Sequence, residues 1–477
     1  MTRSGSRRTQ VVVVGGGIAG LAAAHRLKGH ADVVFVEKAE HPGGKFATTK
    51  VDGVRFESGP DSFVAREPHV EKLAAAVGLG DELIPPTLFG AHIWSDGKLW
   101  RAPADFVFGM PTSPLAALRS GLLGPKGAAR AAADLVLPGP LVGPDISIGD
   151  FVRRRFGSEV LDRLVDPLLA GTRAGRASDI SLAAAVPQID GLARRHRSVT
   201  VGLARAKKAG MKVGGSPPFL APRSGMNSLI EALVDDLASP RSRRADTATE
   251  TVEIRTSAIA RRIERRDDGY RVQLQGDSSI DGNALLLAVP AFVASDLLGE
   301  LNPLAAGELA GIDYASVATA CFIWPPGSVD VPRDASGLLV PSREGRTLAA
   351  ATWFSQKWAH LAPPDGRIVV KAFAGRAAGD AEAGLSDDRL LTALLDDLTD
   401  AIDVSARPLG AHITRWPRAL PQYAVGHLDR IERIEGALRS TPGILVAGAA
   451  YGGTGISDTV KSAQAAADRI VHSAALP

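Results

Sequence analysis

Three glycines near the start of the chain have the spacing of a phosphate-binding turn. Gly15, Gly17 and Gly20 form the pattern G-x-G-x-x-G directly after the run VVVV at residues 11–14. Gly15 permits a tight turn, Gly17 lets the backbone approach a pyrophosphate, and Gly20 allows a helix to pack closely on a strand. The alanine-rich run at 21–28 predicts that helix, whose first N–H groups would point at the phosphates.

An acidic residue after a second predicted strand completes this unit. Residues 32–36, DVVFV, predict the strand, and Glu37 follows where a carboxylate hydrogen-bonds the 2′-hydroxyl of an adenosine ribose. Strand, glycines, helix, strand and acid within about thirty residues form the complete dinucleotide-binding fingerprint. The alternative, a glycine-rich loop of another α/β protein, would not require this context. The acid also favours an unphosphorylated ribose.

Composition and charge describe an ordinary globular chain of two or three domains. The 477 residues are 45% hydrophobic and 22% charged, with a formal net charge of +3. No basic run is interleaved with aromatic residues, which argues against a nucleic-acid partner. The single cysteine, Cys321, excludes an intramolecular disulfide and a cysteine-cluster metal site, and its apolar surroundings predict a buried thiol.

The chain carries no segment that reads as a membrane or export signal. Residues 1–10 are polar and basic, so we expect no secretory signal, and no apolar run reaches the length of a transmembrane helix. We therefore expect a cytoplasmic protein, at most peripheral to a membrane. The stretch 103–145, rich in Pro, Gly and Leu, predicts short apolar helices. They would suit a substrate cleft, a membrane-facing surface, or a plain packed insertion.

Several further motifs resemble those of one group of flavoenzymes. Residues 37–45, EKAEHPGGK, resemble the E-x(5)-G-G-[RK] extension of FAD-dependent amine oxidases. Residues 56–63, FESGPDSF, narrow the resemblance to the oxygen-dependent porphyrinogen oxidases of haem biosynthesis, and residues 416–423, WPRALPQY, are similar to the segment whose tryptophan sits by the flavin in that family. Residues 444–467 resemble its C-terminal unit, in which a helix N-terminus faces the flavin. The chain thus resembles the protoporphyrinogen and coproporphyrinogen oxidases, within the flavin amine oxidase superfamily, over nearly its whole length.

The resemblance implies a non-covalently bound FAD and assigns its site to both ends of the chain. Lys45 would supply a cation near the diphosphate, and a backbone contact to adenine is expected near residues 258–260. The implied FAD-binding residues are Gly15, Gly16, Gly17, Ile18, Ala19, Gly20, Glu37, Lys38, Gly44, Lys45, Gly59, Pro60, Asp61, Ser62, Trp416, Gly448, Gly455, Ile456 and Ser457.

The same resemblance implies an α/β fold of the amine oxidase and p-hydroxybenzoate hydroxylase type. A Rossmann-like FAD-binding domain would comprise residues 1–65, 219–290 and 416–477. A mixed-sheet substrate-binding domain would comprise residues 66–102, 181–218 and 291–415, and a helical insertion domain residues 103–180. Within these domains the patterns predict a helix at 68–80, a linker at 81–86, a hairpin at 92–100 turning at Asp96-Gly97, and a helix at 387–402.

No arrangement of side chains suits acid–base, nucleophilic or metal-assisted catalysis. Ser-His-Asp sets, metal-spaced histidines and paired carboxylates are all missing from the sequence, so we predict no catalytic side chain and no metal. A cofactor can carry the redox chemistry while the protein orients the substrate. The resemblance implies oxidation of coproporphyrinogen III to coproporphyrin III in three two-electron steps. Each step would pass a hydride to flavin N5, and O2 would be reduced to H2O2.

Two arginines depart from the family pattern and are the candidate substrate contacts. Arg173 stands where the family commonly has an aromatic residue, and Arg176 where it has an acid. A guanidinium matches a carboxylate, although ordinary surface substitution would also explain both residues. They favour coproporphyrinogen III, with its four propionates, over the alternative substrate protoporphyrinogen IX, which has two. A downstream ferrochelatase is the partner that pathway logic implies.

Other functional classes remain open at this point. A flavin amine oxidase would share the fold and the motifs at both ends, but Thr454-Gly455 leaves its aromatic cage without an aromatic residue, and Cys321 lies far from the C-terminal motif. A carotenoid desaturase-like enzyme would lack the motifs at 56–63 and 416–423. A flavin-bound scaffold without turnover is the non-enzymatic alternative.

Overall fold

The N-terminal, middle and C-terminal parts of the chain meet in one five-stranded parallel sheet. The computed structural model describes residues 9–139, 143, 145–209, 219–239, 252–376 and 384–474. The β-branched run after Gln10 forms the middle strand, as the sequence predicts. The strands, in spatial order, are Val252–Arg255, Asp32–Val36, Gln10–Val14, Ala284–Leu287 and Ile444–Val446.

Both faces of this sheet are buried, which is why its strands are apolar throughout. Val11 and Val13 face one core, whereas Val12 and Val14 face a second core on the opposite side. The helices on the first side are Ile18–Leu27, Asn227–Ala238 and Ile456–Ala474, with His69–Ala76 beside them. The second side is covered by the antiparallel strands Ala260–Arg266, Gly269–Leu274 and Ser279–Gly282 and by the helices Ala291–Leu298, Pro303–Ala310 and His427–Leu438.

Short strands connect this unit to the rest of the molecule. Thr48–Val51 and Val54–Glu57 form a hairpin, and Phe219–Pro222 lies between Phe63–Val64 and Leu83–Ile84 in a three-stranded sheet. The predicted linker at 81–86 is therefore wrong: it contains the end of a 3-10 turn, Gly80–Glu82, and one of these strands. The strand is stabilised by pairing with a segment far away in sequence, which no local pattern reveals.

A mixed seven-stranded sheet forms the second large unit. Its strands, in spatial order, are Gly410–Pro421, Tyr314–Trp324, Ile368–Ala374, Leu348–Thr352, Gly337–Leu339, His92–Ser95 and Lys98–Arg101. The predicted hairpin is confirmed, and the positive φ angles of Asp96 (53°) and Gly97 (70°) explain its two-residue turn. Additional elements are the helices Phe354–Lys357 and Asp387–Ala401, the 3-10 turns Ser342–Glu344 and Ala359–Leu361, and the strand pair Val329–Asp330 with Asp403–Val404.

Helices between residues 114 and 208 form the third unit around a core of their own. They are Pro114–Arg119, Pro125–Ala132, the 3-10 turn Ala133–Leu135, Ile148–Phe156, Ser158–Val160, the π-helical turn Leu161–Val165, Asp166–Arg173, Leu182–Ala185, Pro187–Arg195 and Val199–Lys208, with the hairpin Phe106–Val107 and Met110–Pro111. Residues 182–203, which the sequence assigns to the substrate-binding domain, contribute to the same core. All the predicted domain boundaries remain predictions.

The apolar stretch 103–145 contributes both buried and exposed side chains. Leu122 and Leu123 are buried in the helical core, whereas Leu115 and Leu118 are half or more exposed. Residues 140–142 and 144 lie outside the described residues, as do residues 1–8. Within the parts of the chain that the structure describes, no helix combines the length and apolar character needed to cross a membrane.

Candidate cofactor-binding site

The glycine-rich turn leaves backbone N–H groups available to an anion. The helix Ile18–Leu27 begins at Gly17 without a capping side chain and without an acidic residue in its first turn. A Cβ atom added at Gly17 would meet no atom within 4 Å, so this position faces open space. Gly15 has φ +114° and lies against the backbone of Ala288, where a side chain would not fit. An uncapped helix N-terminus beside open space is the geometry that binds a phosphate group.

Glu37 lies at the end of its strand, directly beside the turn. Its carboxylate accepts hydrogen bonds from the Gly16 N–H (2.5 Å) and from the Ala39 N–H (2.8 Å). A Cβ atom at Gly16 would stand 2.6 Å from the Glu37 carboxylate, so a side chain at position 16 would displace Glu37. The Glu37 carbonyl oxygen accepts a hydrogen bond from the Ala258 N–H (2.9 Å), which places the expected adenine-contact segment beside the acid. Lys38 follows as an exposed residue.

The loop that carries Gly44 and Lys45 folds back over the turn. The Gly43 N–H donates to the Gly16 carbonyl oxygen (2.8 Å), and a Cβ atom at Gly44 would lie 3.0 Å from Gly17 Cα. Lys45 Nζ donates to the carbonyl oxygen of Ala419. Lys45 is an exposed residue, but the protein atoms packed around its ammonium disfavour the charged form and lower the pKa of Lys45 to about 8.

The segment Ser58–Ser62 lies between this loop and the seven-stranded sheet. A side chain at Gly59 would overlap the Lys45 carbonyl oxygen, so glycine is required there. Trp416 Nε1 donates to the Ser58 carbonyl oxygen (3.2 Å). Asp61 forms an ion pair with Lys357 (3.0 Å) and accepts a hydrogen bond from Ser62 Oγ (2.9 Å). Burial by itself would raise the pKa of Asp61, but Lys357 and Lys371 outweigh burial and hold it well below its usual range.

The C-terminal unit closes on the same region from the other side. A Cβ atom at Gly448 would lie 3.9 Å from the Cβ atom of Ala19, in the first turn of the N-terminal helix. The helix Ile456–Ala474 begins after Gly455, and Ser457 Oγ donates to the Val64 carbonyl oxygen (2.7 Å). The two ends of the chain, which contain most of the predicted cofactor residues, are therefore brought together.

Two aromatic side chains that we did not assign to the site hold the glycine-rich loop after Gly448. Tyr423 Oη donates to the Ala449 carbonyl oxygen (2.7 Å) and accepts from the Gly453 N–H (2.7 Å). His427 stacks on the Tyr423 ring with centroids 3.9 Å apart, and His427 Nε2 lies 3.0 Å from the Ala450 carbonyl oxygen. Burial lowers the pKa of His427 to about 4, so the ring is neutral near pH 7. Tyr423 belongs to the recognised WPRALPQY segment, which could have identified it.

The structure separates the two candidate substrate arginines. Arg173 is half-buried, and its guanidinium donates to Thr454 Oγ1 (3.0 Å) and to the Ala185 carbonyl oxygen (2.9 Å). Thr454 directly precedes Gly455, so Arg173 adjoins the predicted flavin-facing helix. Burial lowers the pKa of Arg173, although a guanidinium stays protonated in proteins. Arg176 lies on an exposed turn three residues further along.

The assembled residues fit FAD. Glu37 ends the strand at the position that holds a ribose in this motif, and the uncapped helix and Lys45 offer positive potential for a diphosphate. The segment at 58–62 adjoins Lys45, and the C-terminal unit adjoins the first turn of the N-terminal helix. Sequence reasoning missed Lys357 and Lys371, which surround that segment. Lys371 had a visible signal, because it is a lysine within the otherwise apolar run IVVKAFA. Within the described ranges, no group of His, Cys, Asp and Glu side chains could hold a metal ion.

Comparison with known proteins places the chain in a family. The model of the family described as flavin containing amine oxidoreductase matches residues 18–471. A coproporphyrinogen III oxidase of Bacillus subtilis is 30% identical over 471 residues, covering 96% of this chain and 97% of that protein. The coproporphyrinogen III oxidase of Propionibacterium freudenreichii is 32% identical, covering 97% of this chain and 91% of that protein. A crystal structure from Exiguobacterium sp. 255-15, provisionally assigned as a protoporphyrinogen oxidase, has a TM-score of 0.85 and 32% identity, covering 98% of this chain and 99% of its own.

The protein is a FAD-dependent oxidoreductase of the α/β type described above. It belongs to the flavin-containing amine oxidoreductase family, and within that family to the same group as these coproporphyrinogen III oxidases. The predicted family and fold class are thereby confirmed, and so is FAD as the predicted cofactor. The comparisons name no individual site residue, so the assignment of each contact remains a proposal.

Proposed function

We propose that the protein oxidises coproporphyrinogen III to coproporphyrin III with molecular oxygen. The observation that carries this proposal is the identity of 30–32% over almost the full chain to relatives named coproporphyrinogen III oxidase. In this reaction the macrocycle loses six electrons and six protons, and three O2 molecules take them up as three H2O2. FAD, when bound, would accept each hydride at N5 and return the electrons to O2.

In this proposal the chain's own residues bind and orient, and no side chain acts as acid, base or nucleophile. The N–H groups at the start of the helix Ile18–Leu27 and the Lys45 ammonium would hold the diphosphate, and Glu37 would hold the adenosine ribose. Trp416 and the segment Ser58–Ser62 would line the flavin side. The N-terminus of the helix Ile456–Ala474 would direct its positive end at the flavin ring, where reduction brings negative charge.

We propose that Arg173 and Arg176 bind the carboxylates of the substrate. Arg173 has a half-buried guanidinium beside Thr454, and two of its N–H groups are used in the hydrogen bonds described above. The remaining donors can pair with a propionate. For a macrocycle that is apolar at its centre and carries carboxylates at its edge, we expect an apolar site with charged groups at its rim. Arg176, on its exposed turn, is the second candidate for a propionate reaching the surface.

Protoporphyrinogen IX is the second candidate substrate. The observation that favours it is the similarity to the Exiguobacterium structure, whose provisional assignment is a protoporphyrinogen oxidase. The two substrates differ in the number of propionates, four against two, so they test the arginine assignment directly. A flavin amine oxidase is the more distant alternative, supported only by the shared family.

The deciding experiment compares aerobic turnover of the two porphyrinogens by the FAD-loaded protein. Porphyrin fluorescence reports product, and the same reaction under nitrogen tests whether O2 is the acceptor. We expect a higher kcat/KM for coproporphyrinogen III and one H2O2 for each O2 consumed. A higher kcat/KM for protoporphyrinogen IX would replace our substrate by the second candidate. Turnover of neither, with FAD bound, would refute the porphyrinogen assignment and favour an amine oxidase or a flavin-bound scaffold.

Two cellular expectations accompany this function. We propose a cytoplasmic location, at most peripheral to a membrane, and a ferrochelatase as the downstream consumer of the porphyrin. Fractionation of cells expressing the full chain tests the location: recovery in the membrane pellet after a high-salt wash would contradict it. Transfer of porphyrin to a ferrochelatase added in solution tests the second expectation.

A further inference from the structure

A buried lysine lies on the face of the seven-stranded sheet that packs against the FAD-binding side. Lys371 belongs to the strand Ile368–Ala374, in which side chains alternate between two faces. Val370 and Ala372 face the core of the seven-stranded sheet, whereas Val369 faces the core that it shares with the FAD-binding unit. Lys371 shares the face of Val369 and is only 1% exposed. Cys321, its cross-strand neighbour, is equally buried.

The lysine belongs to a row of donors that hold two consecutive carbonyl groups. Lys371 Nζ donates to the carbonyl oxygen of Gly59. Thr319 Oγ1 donates to the preceding carbonyl oxygen, that of Ser58 (2.8 Å), which also accepts from Trp416 Nε1 (3.2 Å). These donors come from three adjacent strands of the seven-stranded sheet. The segment that begins at Ser58 is thus fixed to the sheet by its backbone.

The same region contains two carboxyl groups and a second lysine, and burial raises the pKa of the Glu57 carboxyl. Asp61 is paired with Lys357 on the helix Phe354–Lys357, and both side chains are 13% exposed. Glu57 is buried and accepts hydrogen bonds from the Met226 N–H (2.9 Å) and from Thr48 Oγ1 (3.0 Å). Burial lowers the pKa of Lys371, and the charges of Asp61 and Glu57 oppose that effect.

Burying an ammonium is energetically costly, so a lysine at this position calls for an explanation. Removal of a charged group from water is unfavourable in proteins, and a valine or methionine would satisfy the apolar pattern of the strand. The Lys371 hydrogen bond goes to the backbone of Gly59, on the segment expected to line the flavin. The charge therefore lies where its field reaches that segment and a flavin bound against it.

We propose that Lys371 is a positioning residue for the cofactor, and that its buried positive charge raises the reduction potential of the bound flavin. The inference rests on the proposed FAD site, in which Gly59, Pro60, Asp61 and Ser62 line the flavin. A reduced flavin carries more negative charge than an oxidised one, so a fixed cation beyond the segment favours reduction. Asp61, with the opposite charge on the same segment, acts in the opposite direction.

Opposite substitutions test this idea by a measurement other than turnover. The midpoint potential of FAD-loaded protein is measured by anaerobic titration against a reference dye. We expect Lys371→Met to shift the midpoint potential downward and Asp61→Asn to shift it upward. Lys371→Arg, which keeps the positive charge, should retain most of the wild-type potential. The matched control is Lys98→Met, because Lys98 is an exposed lysine at the far edge of the same sheet. It should leave the potential unchanged.

The outcomes separate this inference from the proposed function. An unchanged potential in FAD-loaded Lys371→Met overturns the electrostatic role, even where FAD binding weakens. Should Lys371→Met not fold, Lys371→Gln decides, because it removes the charge and keeps a hydrogen-bond donor: a downward shift supports the role, and no shift or an upward one overturns it. If the variants show the expected shifts in potential but the protein oxidises no porphyrinogen, only the proposed substrate is refuted. A wild-type protein that binds no FAD would refute the cofactor site itself, and this inference with it.

Discussion

FAD affinity should fall as the pH rises above about 8, because Lys45 loses its proton. The protein atoms around the Lys45 ammonium desolvate it and lower its pKa to about 8 in the protein without its cofactor. The negative charge of a diphosphate favours the ammonium form, so the pKa of Lys45 is higher in the complex. Between these two values FAD binding takes up a proton. Affinity is therefore full below pH 8 and decreases above it.

The size of the effect follows from the linkage and from the contact. Above pH 8 the Kd should rise by about tenfold per pH unit, until the pKa of Lys45 in the complex is reached. A hydrogen bond to a charged group contributes about 1.5–3 kcal/mol. Lys45→Met should therefore weaken FAD binding by roughly 10- to 150-fold near neutral pH, since 1.4 kcal/mol is a factor of ten.

Quenching of flavin fluorescence measures the Kd between pH 6.5 and 9.5, about the range that spans this titration. Lys45→Met should bind FAD weakly at every pH. Lys45→Arg should bind FAD more tightly than Lys45→Met and also without pH dependence, because a guanidinium stays protonated. Lys50→Met, which changes an exposed lysine nearby, is the matched control and should behave as the wild type. A wild-type Kd that is constant across this range would refute the reasoning, as would a slope that persists in Lys45→Arg.

Three further predictions concern other parts of the molecule. Gly16→Ala places a Cβ atom 2.6 Å from the Glu37 carboxylate, so it should destabilise the protein by about 1–3 kcal/mol and weaken FAD binding. Wild-type stability in thermal melting, with wild-type affinity in an FAD titration, would contradict this. Asp134→Asn breaks a 2.7 Å ion pair with Arg155 in which the side chains are 0% and 2% exposed. It should cost about 3–5 kcal/mol in urea unfolding, and a loss below about 1 kcal/mol would mean that the pair behaves as a surface pair. Arg173→Met should raise the KM for coproporphyrinogen III by about tenfold, equivalent to one charged hydrogen bond, with kcat little changed; an unchanged KM would leave that guanidinium with only its structural hydrogen bonds.

Local patterns predicted the cofactor half of the fold because its signals are local. Four β-branched residues can form a buried strand without information from elsewhere, and the glycines after them leave few alternatives to a phosphate turn. The helix predicted at 387–402 is observed as Asp387–Ala401, since Ser386 caps its first turn by accepting the Arg389 N–H. The helix predicted at 68–80 ends earlier, at Ala76, because the chain turns at Gly78 with φ +83°.

Contacts between distant segments were not predictable in this way. The strand Leu83–Ile84 exists because Phe219–Pro222 pairs with it, and the sequence between them gives no register. Arg173 and Arg176 look equivalent on paper, yet only Arg173 lies at the end of a helix that adjoins Thr454. A spacing of three residues places side chains on one face only while the helix continues, and this helix ends at Arg173.

Lys371 shows how a sequence can reveal the presence of a site without revealing its partner. A lysine in the run IVVKAFA breaks the apolar pattern of a buried strand, and that alone indicates a buried charge that interacts with a specific group. Its target, the Gly59 carbonyl oxygen, lies 312 positions away in the chain and belongs to a bend between the short strands Val54–Glu57 and Phe63–Val64. Gly59 in turn was recognised only through a motif associated with a flavin. The two observations acquire a common meaning when the fold joins them, because a buried charge acts over distance on the cofactor as well as on the atom it contacts.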